Sequence, residues 1–235
     1  MVNHKVVTKD QWIEARKQLL AKEKEFTRLR DQLSRDRREL PWVRVDKEYV
    51  FEGANGKETL AQLFEGEHQL IIYHFMLDPD WEVGCKSCSF WADNFNGIDT
   101  HLRQRDVSLL AVSRAPWPRI EAFRKRMGWT FKWVSSFGSD FNYDFSVSFT
   151  PEQLQIGQVY YNYKEQKLSM TEQPGISVFC RDESDKIFHT YSCYSRGLDM
   201  LNGAYHYLDL VPKGRDEQGL PRAMSWVRLH DEYVD

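Results

Sequence analysis

The sequence predicts an α/β protein: a mixed β-sheet flanked by helices, with a long helical arm at the N-terminus and an aromatic insertion before a closing β-hairpin. Three observations carry this. Residues 69–77 (QLIIYHFML) and 107–112 (VSLLAV) are apolar runs without a period of two, as expected of strands buried on both faces. Helical patterns alternate with these strands, and strand–helix–strand–helix–strand order implies a parallel unit with right-handed crossovers. Residues 175–181 and 186–192, joined by a polar turn at 182–185, then read as a β-hairpin.

The elements follow in order. Thr8 and Gln11 fit a capping box, opening a helix whose Trp12, Leu19, Phe26, Leu33 and Leu40 recur every seven residues until Pro41 stops it. One such stripe suits either an arm lying on the domain or a dimer arm, so self-association is expected. Residues 42–45 and 49–51 are β-rich and are expected to pair as a hairpin, with a further turn at Asn55-Gly56 and a short helix over 59–64. After the strand at 69–77 a helix is expected near Cys85, burying Trp91, Phe95, Ile98 and Leu102 and tolerating Gly97. Pro118 suits a first helical turn, Ile120, Phe123 and Met127 share one face, and Gly128 ends that helix. Residues 131–134 are a third strand. Residues 137–173 form the aromatic insertion, with Thr150 capping a short helix. A last helix is expected over 198–210. The resulting units are an arm at 1–41, a domain at 42–211 and a polar tail at 212–235 anchored by Trp226 alone.

Composition narrows the function classes. With 32 basic and 35 acidic residues the net charge is −3, which argues against a dedicated binder of nucleic acid or anionic membrane. No run of about 20 apolar residues marks a membrane span. The first ten residues lack the apolar core of a signal peptide, so a cytoplasmic location is expected. In that reducing compartment four cysteines are not a disulfide scaffold, and a close pair points to catalysis or metal binding.

That pair is Cys85-Lys86-Ser87-Cys88, placed after a buried strand and at a helix start. Free N–H groups and the dipole of a helix N-terminus stabilise a thiolate there, and Lys86 adds a positive charge. Two cysteines three apart on a first turn can close and reopen a disulfide. Two alternatives stand beside this. The pair could be packing residues. It could also be half of a zinc site, although no second such pair or close histidine pair completes one. No cofactor or metal is therefore expected. Cys180 alternates within a strand as a core residue, Cys193 is a weaker candidate for a third redox thiol, and His74 reads as a satisfied core histidine. Asp78 and Asp80 lie in the loop before Cys85, where surface acids are the commoner case and a proton relay to Cys88 the sharper one.

The order of elements over 42–211 resembles the thioredoxin superfamily. GCKSCSFWADNF, VSRAPWPRIEAFRKRMGW, SSFGSDFNYDF, PGISVF and YSRGLDMLNGAYHYLDL resemble, at finer grain, one bacterial family, the domain of unknown function 899 family, described as thioredoxin-like. The resemblance implies a thiol–disulfide oxidoreductase with Cys85 as nucleophile and Cys88 as resolving thiol. Pro174, at the place of the superfamily's cis proline, would face the pair, and Trp81, Lys86 and Ser87 would join it in binding substrate. Partners would be a protein or small-molecule disulfide and an upstream thiol reductant. Departures matter: Gly84 stands where thioredoxins carry tryptophan, Lys-Ser replaces Gly-Pro, and no threonine three before a single reactive cysteine signals a peroxidase. A peroxide substrate, or a non-catalytic binding module built on the same fold, are the alternatives.

Overall fold

A computed structural model describes residues 4–234. The chain divides after Pro41 into two compact units. The first holds α1 (Lys9–Arg38), a 30-residue helix. Thr8 Oγ1 accepts from the Gln11 N–H at 3.3 Å and the Gln11 side chain accepts from the Thr8 N–H at 3.2 Å, so two orphan donors are satisfied reciprocally. Arg35, Arg37 and Arg38 in the last turn complement the helix dipole. No residue of α1 is buried, and Trp12, Leu19, Phe26 and Leu33 are exposed.

The second unit is built on an eight-stranded mixed sheet. Its strands are β1 (Val43–Arg44), β2 (Val50–Gly53), β3 (Gly56–Thr59), β4 (Gln69–His74), β5 (Val107–Ser113), β6 (Lys132–Ser135) and the late pair β9 (Gly175–Arg181) and β10 (Ile187–Tyr194). The order across the sheet is β1-β10-β9-β4-β5-β6-β2-β3. β4, β5 and β6 run parallel, whereas β9 lies antiparallel against β4, with Gly175 opposite His74. The helices are α2 (Lys86–Ala92), α3 (Asp99–Arg103) and α4 (Trp117–Arg126) in the parallel unit, and later α7 (Gly203–Leu208). The insertion contributes α5 (Phe141–Asp144), α6 (Pro151–Ile156) and a separate hairpin of β7 (Val159–Tyr161) and β8 (Lys164–Gln166). This is the mixed α/β arrangement expected from the sequence, a sheet flanked by helices with a long N-terminal helix.

Alternation along β4 sends its side chains to two cores. Leu70 and Ile72 join Phe51, Val112, Phe141 and Phe179 on one face. Tyr73, with Phe75 just beyond the strand, joins Trp91, Phe95, Phe123 and Trp133 on the other. The insertion spends its aromatics mainly on packing: Phe141 and Phe145 close the first core, and Tyr161 meets Tyr194 at a ring distance of 5.3 Å in a small third cluster.

Four local expectations are corrected. The strands at 42–45 and 49–51 do not pair with each other. β1 pairs with β10 at one edge of the sheet, and β2 pairs with β3 around the Asn55-Gly56 turn at the other edge. Thr59 is strand, and only Gln62–Phe64 forms a 3-10 turn. The helix after Cys85 does not run through Gly97, whose φ of 85° lies in the left-handed region, and α2 and α3 are separate. The last helix is likewise split. A 3-10 segment, Ser195–Leu201, gives way at Asn202, whose side chain accepts from the Tyr205 N–H at 3.1 Å to cap α7.

The tail is held by more than Trp226. Val227 and Leu229 are buried, and Glu217 Oε1 accepts from Tyr205 Oη at 2.7 Å, Trp226 Nε1 at 2.8 Å and the Met224 N–H at 2.9 Å. Among the described residues no helix is long and apolar enough to cross a membrane.

Candidate active site

β4 ends beneath the site. Past it, the Phe75 N–H donates to Val112 O and the Ala115 N–H to Leu77 O, both at 2.9 Å, which prolongs the parallel pairing. The chain then loops out and returns. The Cys85 N–H donates to Met76 O at 3.1 Å, setting Cys85 beside the strand's extension. The loop is tied at both ends. Asp78 Oδ1 accepts from the Asp80 N–H at 2.9 Å, and the Arg119 guanidinium donates to Pro79 O and, at 2.9 Å, to Trp81 O.

Gly84 fits this turn because nothing larger does. A Cβ there would lie 2.5 Å from one ring carbon of Phe123 and 2.6 Å from one of Phe75. Both rings belong to the tightly packed core beneath α2 and α4, so neither can withdraw. A bulky side chain before the first cysteine is thereby excluded. Gly84→Ala should destabilise the protein by about 1–3 kcal/mol. Urea denaturation measures this, and a variant with unchanged midpoint would contradict the packing.

Cys85 is the N-cap of α2, and its carbonyl accepts from the Ser89 N–H at 2.9 Å. It is half-buried, whereas Cys88, one turn into the helix, is 2 % exposed. Both are free thiols. Their acidities diverge. The adjoining Cys88 thiol, followed by the N–H groups of Cys88 and Ser87 and the Ser87 hydroxyl, pulls Cys85 down to about 6 against the opposing effect of burial. Burial, followed by the Cys85 sulfur, pushes Cys88 well above the ordinary thiol range. A cavity of about 210 Å³ brings Cys85, Ser87, Cys88 and Pro174 together with Tyr73 and Met224.

The other expected site residues are placed differently. Lys86 does not reach that cavity; its ammonium points to Ser225 O in the tail at 3.5 Å. Trp81 is half-buried against the core and stands outside the cavity lining. Pro174 stands at the expected edge, but no peptide bond among the described residues is cis. The cis expectation is corrected. The Gln173 N–H donates to Val147 O at 2.8 Å and Pro174 O accepts from Tyr161 Oη at 2.7 Å, so the insertion ties down the approach to β9 on both sides of the proline.

Asp78 is buried, and its Oδ2 accepts from Arg114 at 2.6 Å and Thr171 at 2.8 Å, so it serves an ionic network rather than Cys88. His74 is buried with Nε2 2.9 Å from Ser177 Oγ, and burial takes it down to about 3, a neutral core histidine. Cys180 is half-buried, and Cys193 lies in the core that contains Cys88. Among the described residues no three His, Cys, Asp or Glu side chains are grouped as metal ligands.

Sequence reasoning missed Tyr73, Met224 and the partners that tie Asp78 into a network, Arg114 and Glu172. Tyr73 carried a faint signal as a polar-tipped residue inside an apolar strand. The others are assembled from distant segments.

Solved structures that the chain resembles do so at low identity. A mutant peroxiredoxin Q from Xanthomonas campestris is 15 % identical, with a TM-score of 0.45, covering 67 % of this chain and 90 % of its own. Peroxidoxin BcpB from Mycobacterium tuberculosis is 12 % identical at a TM-score of 0.45, covering 69 % and 93 %. A protein described as a putative thiol:disulfide interchange protein DsbE, from Chlorobium tepidum, is 11 % identical at 0.42, covering 69 % and 95 %. No curated protein matches the sequence. A family match does extend over residues 1–233, nearly the whole chain, and by it the protein belongs to the family described as bacterial protein of unknown function (DUF899).

Proposed function

We propose that this protein is a thiol–disulfide oxidoreductase in which Cys85 attacks a disulfide and Cys88 resolves the intermediate. The observation that carries this is the inequality of the two thiols at one cavity. Cys85 is accessible and acidic enough to be a thiolate at neutral pH, while Cys88 is buried and protonated. Cys85 would form a mixed disulfide with the substrate. Cys88 would displace the substrate thiolate and leave a Cys85–Cys88 disulfide, which an external thiol reductant reopens. Pro174 and Ser87, at the cavity, are the groups positioned to meet the substrate.

A redox titration with thiol counting tests the reading. Two thiols should be lost and regained reversibly as a pair, mapped to Cys85 and Cys88 by mass spectrometry. No reversible loss at this pair would leave a binding module instead. A thiolate in a small cavity also suits attack on a peroxide oxygen, and rapid stoichiometric consumption of tert-butyl hydroperoxide would favour that substrate over a disulfide.

The acidity of Cys85 has its own readout. Alkylation by iodoacetamide follows the thiolate fraction, so the rate should rise to half its maximum near pH 6 and level off by about pH 8. A thiol of ordinary acidity would still be gaining rate at about pH 8.5. Labelling that appears first at Cys88 would reverse the assignment.

A further inference from the structure

The Tyr73 hydroxyl is one of several buried polar atoms without a hydrogen-bond partner among the described residues, and it is the one whose residue lines the dithiol cavity. Tyr73 is fully buried, its ring fixed edge-on against Phe95 at 5.1 Å and Phe75 at 6.3 Å. These ring contacts would be made equally well by phenylalanine. The hydroxyl itself has no hydrogen-bond partner while both cysteines are free thiols. Burying it so costs desolvation free energy that the fold does not recover, and such an orphan calls for a reason other than stability. What the hydroxyl faces is Cys88 Sγ, and both residues line the cavity that reaches Cys85.

We infer that Tyr73 is a catalytic residue of the resolving step, donating a hydrogen bond to Cys88 Sγ as that sulfur becomes anionic. This rests on the dithiol reading above. A neutral thiol is a weak acceptor and a thiolate a strong one. The interaction is therefore weak in the resting state and strengthens as charge develops, the condition under which it lowers a barrier instead of tightening the ground state. Cys88 needs this help more than Cys85 does, because burial holds its proton on. Burial also pushes the phenol well above its ordinary range, so Tyr73 keeps its own proton and acts as a donor, not a base.

The step balances as follows. Cys88 loses its proton to solvent in the cavity. Its thiolate attacks Cys85 Sγ, the Cys85–Cys88 bond forms, and the bond from Cys85 to the substrate sulfur breaks. The departing thiolate takes a proton from water. Over both steps the dithiol loses two electrons and the substrate disulfide becomes two thiols. The titratable groups facing Cys88 are Cys85, Tyr73 and, at longer range, Tyr161. Arg196 and Asp199, which line the cavity too, are paired with each other at 2.9 Å.

The test uses the full chain in a Cys180→Ala background with 5,5′-dithiobis(2-nitrobenzoate), whose two thiolates are released separately and absorb visibly. The first release reports attack by Cys85 and the second reports resolution by Cys88. Tyr73→Phe should leave the first phase unchanged and the melting temperature equal to or above that of the wild type. It should slow the second phase about ten- to hundredfold, the value of a hydrogen bond to a charged group. The pH profile of that phase should move upward while the profile of the first stays in place. Equal second phases in both proteins at every pH would overturn the role of Tyr73 and leave the dithiol reading standing. A wild-type protein that never makes a second release would overturn both. A Tyr73→Phe melting temperature lowered together with both phases would mark the residue as structural and overturn the inference.

Discussion

Arg114→Ala should be among the most destabilising single substitutions in the chain, costing about 3–5 kcal/mol. The Arg114 side chain is 15 % exposed and holds three groups at once: Asp78 Oδ2 at 2.6 Å, Glu172 Oε1 at 2.5 Å, and the Tyr143 hydroxyl. Glu172 is 1 % exposed, and Ser148 Oγ donates to its other oxygen at 2.8 Å. Deleting the guanidinium strands two buried carboxyl groups without a cation. Burial already lifts Glu172 to about 7 in spite of Arg114, which opposes that rise. Without Arg114 the carboxyl goes higher still.

The sign of the pH dependence follows. A carboxyl whose folded pKa exceeds its unfolded value binds more protons in the folded state, so it loses stability as pH rises from about 4.5 through the folded pKa. The variant extends that interval upward and should be hurt more at pH 8 than at pH 5. Urea denaturation at the two pH values measures both quantities. A loss below about 1 kcal/mol, in the range of an exposed ion pair, would show that the network contributes little. An equal loss at both pH values would show that Glu172 is not the group responsible.

The second large effect is chemical. Cys85→Ser should abolish disulfide reduction, a fall on the order of 10⁴-fold, because a serine hydroxyl at neutral pH carries almost no anion. Cys88→Ser should also stop turnover, but by a different route. Cys85 would still attack, and the mixed disulfide would accumulate for want of a resolving thiol. Mass spectrometry under non-reducing conditions should find the adduct on Cys85 in stoichiometric amount for Cys88→Ser and none for Cys85→Ser. An adduct on Cys88, or a Cys88→Ser protein that turns over at the wild-type rate, would refute the assigned order.

The readable parts of this fold are those coded locally. β4 and β5 show as apolar runs and α4 as a face closed by Gly128. The hairpin of β9 and β10 is marked by its turn, and the helix caps at Thr8 and at Thr150 stand where the pattern puts them. The dithiol lies at a strand-to-helix junction that the pattern locates within a residue.

What escaped the sequence depends on partners far apart along the chain. β1 and β2 look like neighbours, yet they occupy opposite halves of the sheet because their partners are β10 and β6. Asp78 is noticed only as a candidate relay to Cys88, and Arg114 and Glu172 are unremarkable polar residues until the insertion brings Glu172 onto the end of β5. Glu217 gathers three donors, two of them from the tail itself, with no motif to announce it. Pro174 shows the opposite failure: its place at the cavity was legible, and its isomer was not.

The pairing of β1 with β10 also bears on how the chain acquires its structure as it is made. Val43 lies opposite His189, so almost the whole sheet must be synthesised before the earliest strand has anything to bond. The hairpin of β2 and β3 closes within ten residues and can form at once. The parallel core of β4, β5 and β6 can assemble next, at the cost of its longer loop closures. Until residues 175–194 emerge, β4 presents one open flank to other nascent chains, the exposure that makes growing sheets prone to misassembly. The two-residue β1, arriving last on the outer side of β10, pairs only with Phe188 and His189 and so caps one end of that flank.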